Sequence, residues 1–578
     1  MAAPRLPAAA GGGAASAAPA VPSPGAARAT PSETLRECCS RRLAELKAAR
    51  LPFEPEWRQI AKFAAPSRSR FLDGEVKRIR SPRMLDEHGI FSFRTLTGGM
   101  TSGLSSPSRP WFTLATDGDL MDDHEVRAWL SDVEKAMYAF LARTNFYAAA
   151  KTGYAELGLF GTEACFMEEH DAAGAVCHAL TIGTYWIATS PALTVDTLYR
   201  RAAMTVRQAV EKFGDAVSPA VRGLYDRASY DAMVPVFHAI EPRAGHHDDK
   251  LDARHMPWRS VYWDENDDRR AVLRESGHRE QPFWAPRWDT VDNDPWGYAP
   301  GMDALPSLRE LQLQNRRRVE AIDHLVKPEK VVDARVALTG QPGNTVSVPA
   351  ITGNMVMVPY QMPYQAIGAI DQSIQGCREQ IDRAAYADLF MAITNMPGVQ
   401  PRTVEEIASR NEEKLTQLGP VIERVNTEKL EVAIDRTFGI MQRNGLLPPA
   451  PDALHQVDLR IDFVSILTQM QRMVGLGQIE RTVAFIGNMI GQFPEAGDKI
   501  DIDETIDEYA DRAGMPKKLV RSADAVAEIR QQRAQAQQAE KMAAMAPAMR
   551  QGAEAARLLS ETDAGGGASL LDHALGNA

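Results

Sequence analysis

Nowhere in its 578 residues does the sequence carry an apolar run near the ~20 residues that span a bilayer, which excludes a protein integral to a membrane through helices. Its five cysteines (Cys38, Cys39, Cys165, Cys177 and Cys377) include no CxxC pair and no ligand-like Cys/His spacing, so reduced, inert thiols are expected. Positive charge is also short. With 65 Lys and Arg against 76 Asp and Glu, the formal charge is −11. Tight coating of nucleic acid rests on many Lys and Arg contacts to phosphate, so this balance excludes it while leaving room for DNA to pass beside an acidic wall. P-loop, HExxH and GxSxG patterns are missing, and no catalytic residue, cofactor or metal site is expected.

What is present describes an ordinary globular chain, 44% apolar and 24% charged, long enough for several domains. Residues 1–32 are almost entirely Ala, Pro, Gly and Ser and cannot offset their ordering entropy, so a disordered tail is expected there. Helices are expected from a cap near Ser32 to Arg50, over Pro55–Ala65, over Ile90–Leu114, over Asp122–Phe140 and over Asn145–Phe160, stopped by Gly161. Gly98, Gly99 and Gly103 inside the third read as close helix packing. Between Ala164 and Asn293 the period changes to short β-branched or aromatic runs: Val176–Ile182, Tyr185–Thr189, Thr194–Met204, Val234–Glu241, Ser260–Asp264 and Arg270–Glu275. One helix interrupts them, Thr205–Phe213, with Thr205 and Gln208 as a capping box and Gly214 as its stop. His246, His247, Asp248 and Asp249 read as a solvated loop, and Asp264, Glu265, Asp267 and Asp268 as a charged hairpin tip. The second group could in principle hold a hard cation, which keeps open a metal-dependent nucleic-acid-processing hydrolase.

The next stretch carries the organisation. Gly301–Lys327 reads as a helix with Pro306 in its first turn and Leu308, Leu311, Val319, Ile322 and Leu325 on its apolar face. Arg316, Arg317 and Arg318 form its one basic cluster, balanced by Glu310, Glu320 and Asp323 or available to DNA phosphates or an acidic partner. Val331–Pro359 is strand-like, Ala366–Ile393 is helical, and Asn395–Gln400 is an uncharged loop. Thr403–Asn444 then reads as one helix of roughly 60 Å, opened by a Thr403/Glu406 capping box, bent at Gly419 and Pro420, and closed before Gly445. One apolar stripe runs along it through Leu418, Ile422, Val425, Leu430, Ile434, Phe438 and Met441. Val457–Val464 alternates as a strand, and the rest to Leu559 is helical.

Three stretches, GGMTSGLSSPSRPWFTL, GMDALPSLRELQLQNR and above all TVEEIASRNEEKLTQLGPVIERVNTEKLEVAIDRTFGIMQRNGLLPPAP, resemble the portal, or head-to-tail connector, proteins of short-tailed bacteriophages. The resemblance implies an α+β, mainly α fold with wing, stem, clip and crown regions, assembled as a ring of about twelve subunits. Carried onto this chain it implies a tail over 1–32, the helical and β-rich parts of the wing over 33–163 and 164–300, a first stem helix over 301–327, a clip over 328–364 and a second stem helix over 365–393. A channel loop over 394–402, comprising Asn395, Met396, Pro397, Gly398, Val399 and Gln400, a wing helix with its strand over 403–464, a crown over 465–559 and a flexible end over 560–578 follow. The same resemblance implies double-stranded DNA in the channel, a terminase, a tail adaptor, major capsid and scaffold proteins as partners, and a place at the capsid vertex of a virion assembled in the host cytoplasm. A helical scaffold or adaptor is the remaining alternative.

Overall fold

The computed structural model describes residues 34–68, 84–116, 123–246, 252–267, 269–327, 331–332, 356–357, 363–394, 412–454, 459–468, 482–487, 502–512 and 529–537, with isolated positions besides. Helix α1 (Leu35–Arg50) opens on a capping box two residues later than the Ser32 expected from sequence: Thr34 accepts from the Glu37 N–H, and the Glu37 carboxylate accepts from the Thr34 N–H. Its Cys39, Leu43 and Leu46 bury against Trp186, Phe237 and Trp263, and the Arg50 guanidinium lies 4.5 Å from the Trp186 ring centroid. Burial pushes the Cys39 thiol up to about 12, so it has no thiolate character at neutral pH.

Helix α2 (Glu54–Ala64) places Trp57 and Ile60 in the main core, as their spacing predicts. Helix α3 (His88–Leu104) stops ten residues before the expected end at Leu114, because Phe112–Ala115 forms strand β1 instead. The tertiary structure overrides the helical pattern there by offering a partner strand late in the chain. Close packing holds at Gly99, where a Cβ would lie 2.0 Å from the Phe390 ring, but not at Gly98, which faces open space. Helices α4 (His124–Arg143) and α5 (Phe146–Phe160) follow, the first capped by Asp123 and the second ended by Gly161 at φ 79°. Only glycine serves at position 161, since a Cβ would meet the Gly297 carbonyl at 2.1 Å.

The β-rich part holds two antiparallel sheets. Strands β2 (Ala164–His170), not anticipated from sequence, and β3 (Gly174–Leu180) join β9 (Phe283–Trp284) in the order β3-β2-β9. Strands β4 (Tyr185–Thr189), β5 (Val195–Thr205), β6 (Met233–Pro242), β7 (Trp258–Asp264) and β8 (Arg274–His278) form a five-stranded meander in chain order. Two helices, not one, interrupt it: α6 (Val206–Phe213), with the Thr205/Gln208 box in place, and α7 (Pro219–Asp226), capped by Ser218. The charged hairpin tip expected at Asp264 is corrected. Asp264 is buried, accepting from Ser218 Oγ at 3.0 Å and Asn266 N–H at 2.9 Å, and Asp267 is held by Arg269. Both Asp264 oxygens are thus engaged inside the fold rather than presented on an exposed tip. Asp268, His247, Asp248 and Asp249 lie outside the described residues.

After α8 (Pro300–Asp303) and α9 (Leu305–Val326), strands β10 (Val331–Val332) and β11 (Val356–Met357) pair antiparallel; the other residues of the strand-like stretch lie outside the described ones. The expected single helix Ala366–Ile393 is broken into α10 (Gln365–Ala384) and α11 (Ala387–Thr394) by Tyr386, at φ 51°. The long helix is described from Glu412, so Thr403, Glu406 and the loop Asn395–Gln400 lie outside the described residues. It comprises α12 (Glu412–Val425), with Pro420 inside it, a π-helical turn (Asn426–Leu430) that no sequence signal marked, and α13 (Glu431–Arg443). Strand β12 (Arg460–Phe463) returns to pair with β1, Phe112 opposite Phe463. The chain divides into two units, Met1–Val474 and Gly475–Ala578. In the second, helix α14 (Ile502–Arg512) presents Asp503 to Arg530 in a bidentate pair at 2.6 Å.

Inside the β-rich part, Phe166 is ringed by His178, His238 and His278, with centroids 5.8, 5.0 and 6.0 Å away. His238 is buried and accepts from Arg200 Nε at 3.0 Å on Nδ1, which leaves its proton on Nε2 beside Ser260 Oγ at 2.8 Å. Burial, with Arg436 nearby, drives His278 down to about 3. A histidine whose folded pKa is depressed contributes stability that is complete above the unfolded pKa and is lost as pH falls below it. The thermal unfolding midpoint is therefore expected to fall steadily from pH 7 to pH 4, and His278→Gln should flatten that slope in a scan of melting temperature against pH.

Candidate assembly site

Helices α9 and α10 stand against each other as an antiparallel pair. Near one end Ser307 Oγ donates to Gln380 at 2.8 Å, and further along Arg318 meets Asp371 at 2.9 Å. The inner half of α9 is core: Leu308 and Leu311 are fully buried, and Leu308 sits so close to Gly89 that a Cβ there would lie 2.4 Å away. Its outer half is not. Val319 is 52% exposed, Ile322 39%, Leu325 40% and Val326 69%, and Tyr364 before α10 is 75% exposed. The heptad spacing of Val319, Ile322 and Val326 puts them on one stripe. The periodicity of Gly301–Lys327 thus marks two surfaces, one buried in the protein's own core and one left partly exposed. Covering what each of these side chains still exposes would add a fraction of the roughly 1.5–3 kcal/mol of a full burial, so the stripe fits an assembly surface.

The arginine cluster sits on the same outer stretch. Arg316 and Arg317 are exposed, and Arg318 reaches the facing helix at Asp371 rather than an acid of its own helix, as sequence spacing had suggested. Gly419 is buried and Pro420 exposed within α12. Among the described residues no group of three or more His, Cys, Asp or Glu could hold a metal ion.

The long helix is fastened to the body by charges that no sequence motif marked. Lys429 Nζ, fully buried in the π-helical turn, donates to the fully buried Glu163 carboxylate at 2.7 Å and lies 3.5 Å from the Tyr154 ring centroid. Glu163 also accepts from Trp284 Nε1 at 3.2 Å. Burial works against both charges, pushing the carboxyl up and the ammonium down; their mutual attraction opposes it first, helped on the carboxylate by the hydrogen bond from Trp284. Neighbouring Glu428 takes a bidentate grip from Arg287, at 2.6 Å through Nη2 and 3.1 Å through the backbone N–H. About two turns on, buried Arg436 pairs with Glu280 at 2.8 Å and Glu169 at 3.1 Å, and Arg443 holds the same two acids. Gly153 and Gly439 are the clearances for this network, because a Cβ at either would overlap the Glu163 or Glu280 carboxylate. A signal existed: Lys429 and Arg436 interrupt the apolar stripe on its own face, between Val425, Ile434 and Phe438. Removing one partner of a buried pair strands the other charge at a cost of about 3–5 kcal/mol. Lys429→Met is expected to lower the unfolding midpoint sharply, and adding Glu163→Leu to recover much of the loss, as read by thermal denaturation.

Comparisons with known proteins bear on this chain directly. The family model for bacteriophage head to tail connecting protein matches residues 36–520. The portal protein of Salmonella phage epsilon15 is 38% identical over 540 residues, covering 92% of this chain and 96% of its own length. The probable portal protein of Bordetella phage BPP-1 is 37% identical over 549 residues, covering 93% and 98%. Among solved structures, the neck of an empty gene transfer agent particle computed with C6 symmetry covers 75% of this chain and 90% of its own, at 11% identity and a TM-score of 0.34, a likeness too slight to argue from. By a model spanning most of its length and two relatives matched almost end to end, the chain belongs to the bacteriophage head-to-tail connecting family, the portal proteins, and its role is structural.

Proposed function

We propose that this portal protein assembles into a closed ring of about twelve copies at one capsid vertex and serves as the conduit through which double-stranded DNA enters and leaves the head. The observation that carries this reading is the uncovered aliphatic stripe Val319, Ile322 and Val326 on the outer half of α9, which a neighbouring copy of the α9–α10 pair would cover. A head-to-tail interface repeated by rotation closes into a ring. In this reading residues 33–300 are the wing, 301–327 and 365–393 the stem, 328–364 the clip that meets terminase and then the tail adaptor, and 394–402 the channel loop. The long helix over 403–444 is the wing helix, turned outward at Gly419 and Pro420 and followed by its strand before 464, and 465–559 is the crown inside the head, beside capsid and scaffold proteins.

Charge supports the conduit. Each phosphate neutralised by a lysine or arginine adds to a binding constant that multiplies around a ring, so a channel that gripped DNA in every subunit would stall it. A net charge of −11 and a loop Asn395–Gln400 without charge avoid that grip; of the cluster Arg316, Arg317 and Arg318, the first two are exposed and available to DNA or to a partner, while Arg318 is paired with Asp371. Without a P-loop the ring depends on the separate terminase ATPase for force.

Native mass spectrometry and negative-stain microscopy test the reading: rings are expected, and a stable monomer at assembly concentrations would overturn it. Val319→Asp with Ile322→Asp should abolish rings while leaving the melting temperature of the subunit within a few degrees, because both side chains are exposed in it. Deleting Met396–Val399 is expected to preserve rings and impair DNA packaging or retention in particles; loss of assembly there would remove the channel-loop assignment.

A further inference from the structure

The chain reaches α3 through a short segment, Leu85–Glu87, that touches both stem helices at once. Gln312 of α9 is buried and aligned with this segment's backbone. Its Oε1 accepts from the Leu85 N–H at 2.7 Å and the Asp86 N–H at 3.1 Å, and its Nε2 donates to the Asp86 carbonyl at 2.7 Å. One side-chain amide thus completes hydrogen bonds that a strand partner would otherwise supply. The Asp86 carboxylate, itself buried, then binds both helices through one oxygen: Oδ2 accepts from Asn315 Nδ2 of α9 at 3.2 Å and from Arg378 Nη2 of α10 at 2.8 Å. Oδ1 accepts from the His88 N–H at 2.8 Å, at the start of α3. Beside it Ser92 Oγ and His88 Nε2 both meet Asp382 Oδ1 of α10, at 2.6 and 3.0 Å. Burial opposes the Asp86 charge, but the hydrogen bonds from Arg378 and the His88 N–H outweigh it and hold the carboxyl below its ordinary value.

We propose that Asp86 is the positioning residue of the stem: its carboxylate clasps α9, α10 and the start of α3 at one point and so sets the angle at which the stem leaves the body before subunits meet. The apolar contacts beneath, Leu308 on Gly89 and Phe390 on Gly99, are non-directional and allow the helices to rock or rotate, whereas three hydrogen bonds at fixed angles to one buried carboxylate do not. In the ring reading, on which this inference rests for its consequence, an angular error in one subunit accumulates around the circle, and a preset stem angle keeps the number of copies single-valued.

The test is Asp86→Ala in the full chain, followed by hydrogen exchange and native mass spectrometry. The amides of α9 over 311–322 and of α10 over 374–382 are expected to exchange at least tenfold faster, with α13 over 431–443 unchanged, and the rings should spread over more than one copy number or fail to close. Arg378→Gln, at a partly exposed position, should give a weaker form of the same pattern and serves if the alanine variant does not fold. Asp86→Asn, which keeps Oδ1 for the His88 N–H but weakens the Arg378 contact, should fall between. Wild-type exchange in α9 and α10 in a folded variant would overturn the clasp whatever happens to assembly. Absence of rings from the wild-type protein would overturn the ring reading and leave the exchange result to decide the clasp alone.

Discussion

A lysine ammonium and a glutamate carboxylate sealed from water at 2.7 Å set the terms on which the rest of this subunit is built. Neither charge survives such burial alone, so Glu163, at the junction of α5 and β2, can be where it is only while the π-helical turn delivers Lys429. That single requirement ties together parts of the chain distant in sequence: the helical core through Tyr154 and Gly153, the small sheet through Trp284 of β9, and the long helix itself. The neighbouring pairs, Glu428 with Arg287 and Arg436 with Glu280, then decide the rotation of the helix about its axis, which apolar contacts leave loosely specified. A wide turn at Asn426–Leu430 is the local cost of meeting both sets of partners, since it adds a residue between α12 and α13 and lets consecutive Glu428 and Lys429 each face the body.

The same logic of polar fixation over apolar packing recurs at the α9–α10 pair. Leu308, Leu311, Ile374 and Ile381 bury the pair α9–α10 onto the body, and Gln312, Asn315 and Arg378 converge on Asp86 to orient it. Beyond Arg318 the larger aliphatic side chains Val319, Ile322, Leu325 and Val326 stay partly exposed, so the helix is buried at its root and open to solvent towards its tip.

Local chemistry was legible where it acts over a few residues. The Thr205/Gln208 box, the stop at Gly161, the core positions of Trp57 and Ile60 and the strands from Tyr185 to Asp264 follow from capping geometry and side-chain period. What misled were stretches whose partners lie far away. Phe112–Ala115 continues an apolar pattern that suits a helix, and only Arg460–Phe463, supplied hundreds of residues later, makes it a strand. Likewise the break at Tyr386 has no glycine or proline to announce it; an aromatic residue takes a left-handed backbone because Ala385 on one side and Ala387 and Phe390 on the other are fixed in the core. Asp264 shows the reverse error, an acid read as exposed that is buried because Ser218 and a turn amide satisfy it.

By itself, then, the sequence determined the class of the molecule: a mainly helical α+β chain of the head-to-tail connecting family, without catalytic motifs or an excess of positive charge. Those properties are set by composition, period and motif, which are local and additive along the chain. The pairing of Lys429 with Glu163, the grip of Asp86 on two helices and the division of α9 into a covered root and a bare tip were decided only by the tertiary structure. Charge pairing and exposure are properties of distance in space, and no spacing within one helix records which distant residue will stand across from it.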